Sequence, residues 1–165
     1  MTLARAVPVS VIGLGNLDRR DDGVGVLIAE ALREELDAGT WVPHAGRELA
    51  VVAAGTDSLL AAAHAADGRW VILVDAARMG LAAGEYRMFT PAEADLHARG
   101  CGLAPHDADL AEALRLVREL GCAERLRVMG IEGKDMGHGR GLSPQLHARL
   151  PELRARIKEE VGLLP

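Results

Sequence analysis

Asp22, Asp75 and His106 have the residue types of a metal or acid–base site, and each stands where a short apolar run gives way to a turn. Asp22 closes the acid pair Asp21-Asp22 behind "VIGLGN", Asp75 follows "VILV", and His106 comes after Pro105 at the head of "HDADLAEAL". Two carboxylates and an imidazole form a hard-to-borderline donor set suited to a divalent metal such as Zn, Ni, Mn or Fe. Each residue also has a plainer role. An acid at a helix start accepts backbone N–H bonds and suits the helix dipole. Asp75 would then hold a neighbouring loop, and His106 would be an ordinary first-turn residue. One cap needs only one acid, so the pair at 21–22 points towards chemistry. His44, His64, His97, His138 and His147 lack partners at ligand spacing and read as solvated, and neither HExxH nor CxxC is present.

Other chemistries find less support. Completing a dinucleotide-binding GxGxxG after "GLGN" needs glycine at position 18, where Asp18 stands and would repel a pyrophosphate. No GxxxxGK[ST] occurs, so no nucleotide cofactor is expected. The three serines, Ser10, Ser58 and Ser143, lie outside any GxSxG elbow. Cys101, in "GCGLAPHD", could form a thiol–imidazole dyad with His106, although a loop thiol is the simpler reading. The segment "IEGKDMGHGRGLSP" reads as a mobile, glycine-rich connection suited to a substrate flap, with Ser143 capping a helix that has Pro144 at its first position.

The elements that must position these residues follow from hydrophobic periodicity. Strands are predicted over 7–12, 48–53, 70–74, 85–89 and 126–131, and helices over 23–36, 57–65, 107–120 and 144–161. Alternating strands and helices predict an α/β sandwich with a mixed, mostly parallel five-stranded sheet, in one domain spanning 1–165. "WVILVDA" is apolar without alternation, as in a central strand covered on both faces. "GEYRMFTP" follows it too closely for a crossover helix and should run antiparallel. Ligands of such sheets gather beyond the carboxyl ends of the strands, which is where Asp22, Asp75 and His106 converge in this topology.

Composition bounds the rest. With 165 residues, 49% of them hydrophobic, the chain can bury a sizeable core. A net charge of −5 and only two Trp, one Tyr and one Phe argue against a nucleic-acid partner. No apolar run is long enough for a bilayer, no room is left for a signal peptide, and two cysteines make no disulfide framework. The expectation is a cytoplasmic protein with no membrane partner.

The motifs "GLGNLDRRDDGVG", "LVDA", "PHDADLAEAL" and "GIEG…GLSP", in that order, resemble the maturation proteases of nickel–iron hydrogenases. The resemblance implies a three-layer α/β/α, phosphorylase/hydrolase-like sandwich and an aspartyl-type endopeptidase. It would remove the C-terminal extension of the hydrogenase large-subunit precursor after nickel insertion. The metal contacts carry over to Asp22, Asp75 and His106, with Gly13, Gly15, Asn16, Asp21 and Gly23 supporting the turn. Nickel would arrive in the substrate and serve as a recognition element, and no nucleophile or base is assigned beyond the same three residues. Two departures stand out: Asp18 where the family often has an apolar residue, and Ala104 where it often has Ser or Thr. The same motifs would suit a non-cleaving, nickel-dependent accessory protein of hydrogenase assembly, or an independent metallohydrolase with resident zinc. "GLGN" also resembles peptidyl-tRNA hydrolases, but their Pro-Gly and Thr-Arg-His-Asn segments are absent.

Overall fold

The computed structural model describes residues 6–94 and 108–165. Five strands, β1 (Val9–Leu14), β2 (Leu49–Gly55), β3 (Trp70–Ala77), β4 (Tyr86–Phe89) and β5 (Leu126–Glu132), form one sheet in the order β2-β1-β3-β5-β4. All neighbours are parallel except β4 with β5. The antiparallel strand is therefore found as expected, but its partner is β5, which lies between it and β3.

Side-chain alternation along the strands builds two cores. Val9 and Val11 of β1 with Ile72 and Val74 of β3 pack under α1 (Val24–Asp37) and α4 (Pro144–Leu163), through Ile28, Leu32, Leu146, Leu153 and Ile157. The opposite face, with Ile12, Val71, Leu73 and Val128, is covered by α2 (Leu59–Ala66) and α3 (Ala108–Glu119), through Ala61, Ala65, Leu110 and Val117. These are the three layers expected. The spacing of Leu110, Ala113, Leu114 and Val117 places all four on the buried stripe of α3.

The order of connections matters for function. From β1 the chain crosses through α1 to β2 on one side, then through α2 to β3 on the other side of β1. The reversal leaves a crevice at the carboxyl ends of β1 and β3, the position where open α/β sheets take ligands. Helix α1 is drawn hard into it: a Cβ on Gly25 would lie 2.3 Å from the Val74 carbonyl oxygen and 2.4 Å from that of Leu14. No other residue fits there without moving the helix off both strands.

Candidate functional site at the carboxyl edge of the sheet

The turn leaving β1 is closed by its own residues. Gly15 has φ +135, and a Cβ there would sit 1.9 Å from the Asp22 carbonyl oxygen, so the chain can double back only with glycine. The Asn16 amide donates to Asp22 Oδ2 at 2.9 Å, and Asn16 Oδ1 accepts the Asp18 amide at 2.9 Å. The acid pair then lies in a 3-10 turn, Arg20–Gly23, ahead of α1 rather than at the helix cap, and neither it nor α1 has a side-chain cap.

The two acids have different surroundings. Asp21 is fully buried. Its Oδ2 accepts the amides of Lys134 at 2.8 Å and Asp135 at 2.9 Å, and its Oδ1 accepts that of Ser143 at 2.6 Å. Burial alone would push this carboxyl up, but the three backbone donors outweigh it and hold the pKa below the ordinary aspartate value. The helix-capping role open to an acid at a helix start is thus replaced by a longer-range one. It clamps the glycine-rich connection to the β1 turn. The Asp21 amide donates to the Asp135 carbonyl, the Arg20 amide to that of Gly139, and the Gly139 amide to that of Asp18. Arg20 sits at φ 47 and adds a bond from Nε to the His138 carbonyl at 3.2 Å. The segment expected to be mobile is fastened along much of its length. Ser143 does precede α4, with Pro144 following, yet its amide serves Asp21 and its hydroxyl makes no cap.

Asp22 is half-buried, and among the described residues its side chain accepts the Asn16 amide noted above. Asp75 is buried inside β3, opposite Gly130 of β5 and one residue beyond the Val74–Gly13 pairing, where β3 outruns β1. It alternates with Val71 and Leu73, on the side of α2 and α3. His106, like Cys101 and His97, lies outside the described residues.

Asp109, in the first turn of α3, is a further carboxylate near this edge that the sequence pattern did not single out. Its pKa is raised by burial and then by the charge of Asp22, which puts the two carboxylates within electrostatic reach of each other. Like charges held together favour a cation between them. Among the described residues no trio of His, Cys, Asp and Glu side chains is assembled as a metal site, and His106, the third expected donor, is not among them. What the described residues supply is a partly open carboxylate, a buried one and a third coupled to the first. Carboxylate oxygens are hard donors of the kind that bind divalent ions.

Two further polar groups bear on the rivals. Ser10 and His64 do meet, Oγ to Nδ1 at 2.8 Å, so His64 is not the solvated residue expected. Arg69 Nε donates to the same hydroxyl at 2.7 Å, and Ser10 is fully buried at the amino end of β1. This group fastens α2 to β1 and has no access to substrate. Burial first, then Arg69, lowers the His64 pKa, consistent with a neutral ring. His44, His138 and His147 are exposed, as expected. Glu132, at the end of β5, is buried and accepts the amides of Met79 at 2.6 Å and Leu81 at 3.3 Å, bracing the loop after β3.

Residues 26–160 match the model of the family described as HycI, hydrogenase maturation protease. The chain belongs to that family. As a member of it, the chain is a peptidase. No curated protein sequence matches it. Among solved structures it is similar to the hydrogenase maturating endopeptidase HybD from E. coli, with 22% identity, a TM-score of 0.68, and 92% of this chain and 90% of that one covered. A solution structure of an endopeptidase from Escherichia coli gives 22% identity and a TM-score of 0.73 over 92% and 90% of the two chains. The [NiFe] hydrogenase maturation protease HybD from Thermococcus kodakarensis gives 23% and 0.70 over 94% and 99%. At these identities the likeness establishes the fold.

Proposed function

We propose that the protein is an endopeptidase that removes the C-terminal extension of a nickel–iron hydrogenase large-subunit precursor once nickel is in place. The observation that carries this reading is the position of the Asp22 turn and of Asp75 on the two sides of the β1/β3 crevice, in a chain of the maturation protease family. Nickel is substrate cargo in this account. Asp22 and Asp75, with His106, are the side chains proposed to meet it, and Asp109 adds negative charge from α3.

The contact links recognition to cleavage. A loaded ion brought into the crevice would relieve the repulsion among the carboxylates, whereas an empty precursor would leave them facing one another. Catalysis of aspartyl type would need one of these carboxyls to handle a proton on the attacking water. The cytoplasm is the proposed compartment, and no helix among the described residues is long and apolar enough to cross a membrane.

The test is a processing assay with nickel-loaded and nickel-free large-subunit precursor, read as a mass shift. Cleavage of the loaded form alone is expected. Binding without cleavage would overturn the peptidase role in favour of an accessory protein. Equal cleavage of both forms would overturn nickel recognition.

A further inference from the structure

Two clefts flank the β1 turn, and Arg140 lines both. One, of about 520 Å³, runs beside Gly15, Asn16 and Asp18 to the end of β2 at Gly55 and Thr56. The other, of about 300 Å³, lies between Arg20, Lys134, Asp135 and Arg140 and the first residues of α4, Ser143 to Gln145. The first follows the carboxyl edge of the sheet. The second puts three cationic side chains against one carboxylate, in a chain whose net charge is −5.

The three cations are committed to different degrees. Arg20 is fixed: it bonds the His138 carbonyl, and its Nη1 pairs with Asp135 at 2.7 Å. Arg140 is held across the junction of the clefts by Asp18, Nε to Oδ1 at 2.8 Å, with the two side chains 78% and 71% exposed. An exposed pair of this kind contributes little to stability, so it orients the guanidinium at little cost to exchanging partners. The Lys134 ammonium has no ion-pair partner among the described residues, while its backbone amide is pinned by Asp21. A free cation and an exchangeable one therefore face a cleft whose walls are held rigid by the Asp21 clamp.

We infer that the two clefts form one track for an extended peptide, and that Lys134 and Arg140 bind a carboxylate of the segment to be removed. The inference rests on the proposed peptidase role and names a subsite of its substrate. The carboxylate comes from the chain end or from an acidic side chain, and both present the same two oxygens to an ammonium and a guanidinium. Asp18 then has a function that an apolar residue at this position lacks: it keeps Arg140 over the junction until the substrate replaces it. Lys134 and Arg140 are positioning residues for the substrate, remote from the reacting bond.

The test uses the full chain and a nickel-loaded precursor. Lys134→Gln and Arg140→Gln are each expected to raise KM about 2–5-fold, the range of a partly exposed charge pair, with kcat unchanged. The double reversal Lys134→Glu/Arg140→Glu should raise it at least about tenfold, and added salt should narrow the gap to wild type. Both side chains are surface groups, so unfolding temperatures should agree. In parallel, a synthetic extension peptide, as free acid and as C-terminal amide, is titrated while the backbone amides of Lys134, Arg140 and Gln145 are followed by NMR. Shifts with the acid only assign the chain end, and shifts with both forms that vanish on replacing an acidic residue assign the side chain. Unchanged KM in the double reversal, or no shift with either peptide, would overturn the subsite. Should wild type fail to cut the precursor, the peptidase role falls, and the peptide shifts alone decide whether the carboxylate site exists.

Discussion

Asp21 and Asp22 are adjacent in sequence and belong to different regions of the molecule. Asp21 lies under the 133–143 connection, fully buried and saturated by three backbone amides, with its charged form favoured. Asp22 lies at the edge of the β1/β3 crevice, half open, near an Asp109 whose charged form is disfavoured. Where carboxylate oxygens meet donors supplied by the fold, they hold structure. Where two carboxylates come within reach, as Asp22 and Asp109 do, each disfavours the charge of the other. The difference between the clamp and the proposed metal contact thus begins with how many backbone donors the fold aims at each carboxylate.

The largest way to break this division is to move both regions at once. Gly25→Ala would drive a Cβ into the carbonyl oxygens of Val74 and Leu14. It should cost about 3 kcal/mol or more, because rigid backbone on two strands must shift. Equilibrium unfolding would read that loss, with processing falling alongside it. An undisturbed Gly25→Ala protein would mean that α1 does not set the crevice.

A gentler approach uses pH. The folded-state pKa of Asp21 is depressed, so its contribution to stability is complete above the ordinary aspartate pKa and is lost as pH falls through the folded value. Urea midpoints should therefore drop between about pH 5 and pH 2. Asp21→Asn should flatten that dependence, which separates the clamp from other acids. Asp109 has the opposite sign: its raised pKa means that protonation on acidification relieves the crevice. An acid profile that Asp21→Asn leaves unchanged would count against the clamp.

Much of the frame was readable in the sequence because its signals are local. The apolar run of β3, the stripe on α3 and the turn glycines announce themselves within a few residues, and the expected α/β/α layers are those found. Asp22 and Asp75 stood out for the same reason, as acids that follow apolar runs, although Asp75 lies inside β3 rather than behind it. The division of labour between Asp21 and Asp22 was not. The donors to Asp21 lie 113 to 122 residues away, and no local spacing encodes them. Asp109 was overlooked because an acid in a helical first turn has an ordinary explanation, and only the packing of α3 brings it near Asp22. The Ser10–His64 contact spans 54 residues and was invisible for the same reason.

One paired measurement tests the central claim most directly: thermal unfolding and precursor cleavage of Asp21→Asn and Asp22→Asn, side by side. The account predicts that Asp21→Asn loses about 3 kcal/mol, roughly 6–12 °C for a chain of this size, because buried charged hydrogen bonds are weakened. Its folded fraction should still cleave. Asp22→Asn should keep the wild-type unfolding temperature and lose at least about 100-fold in cleavage rate. The reverse pattern, with Asp22→Asn unstable but active and Asp21→Asn stable but inactive, would contradict the assignment of clamp and site.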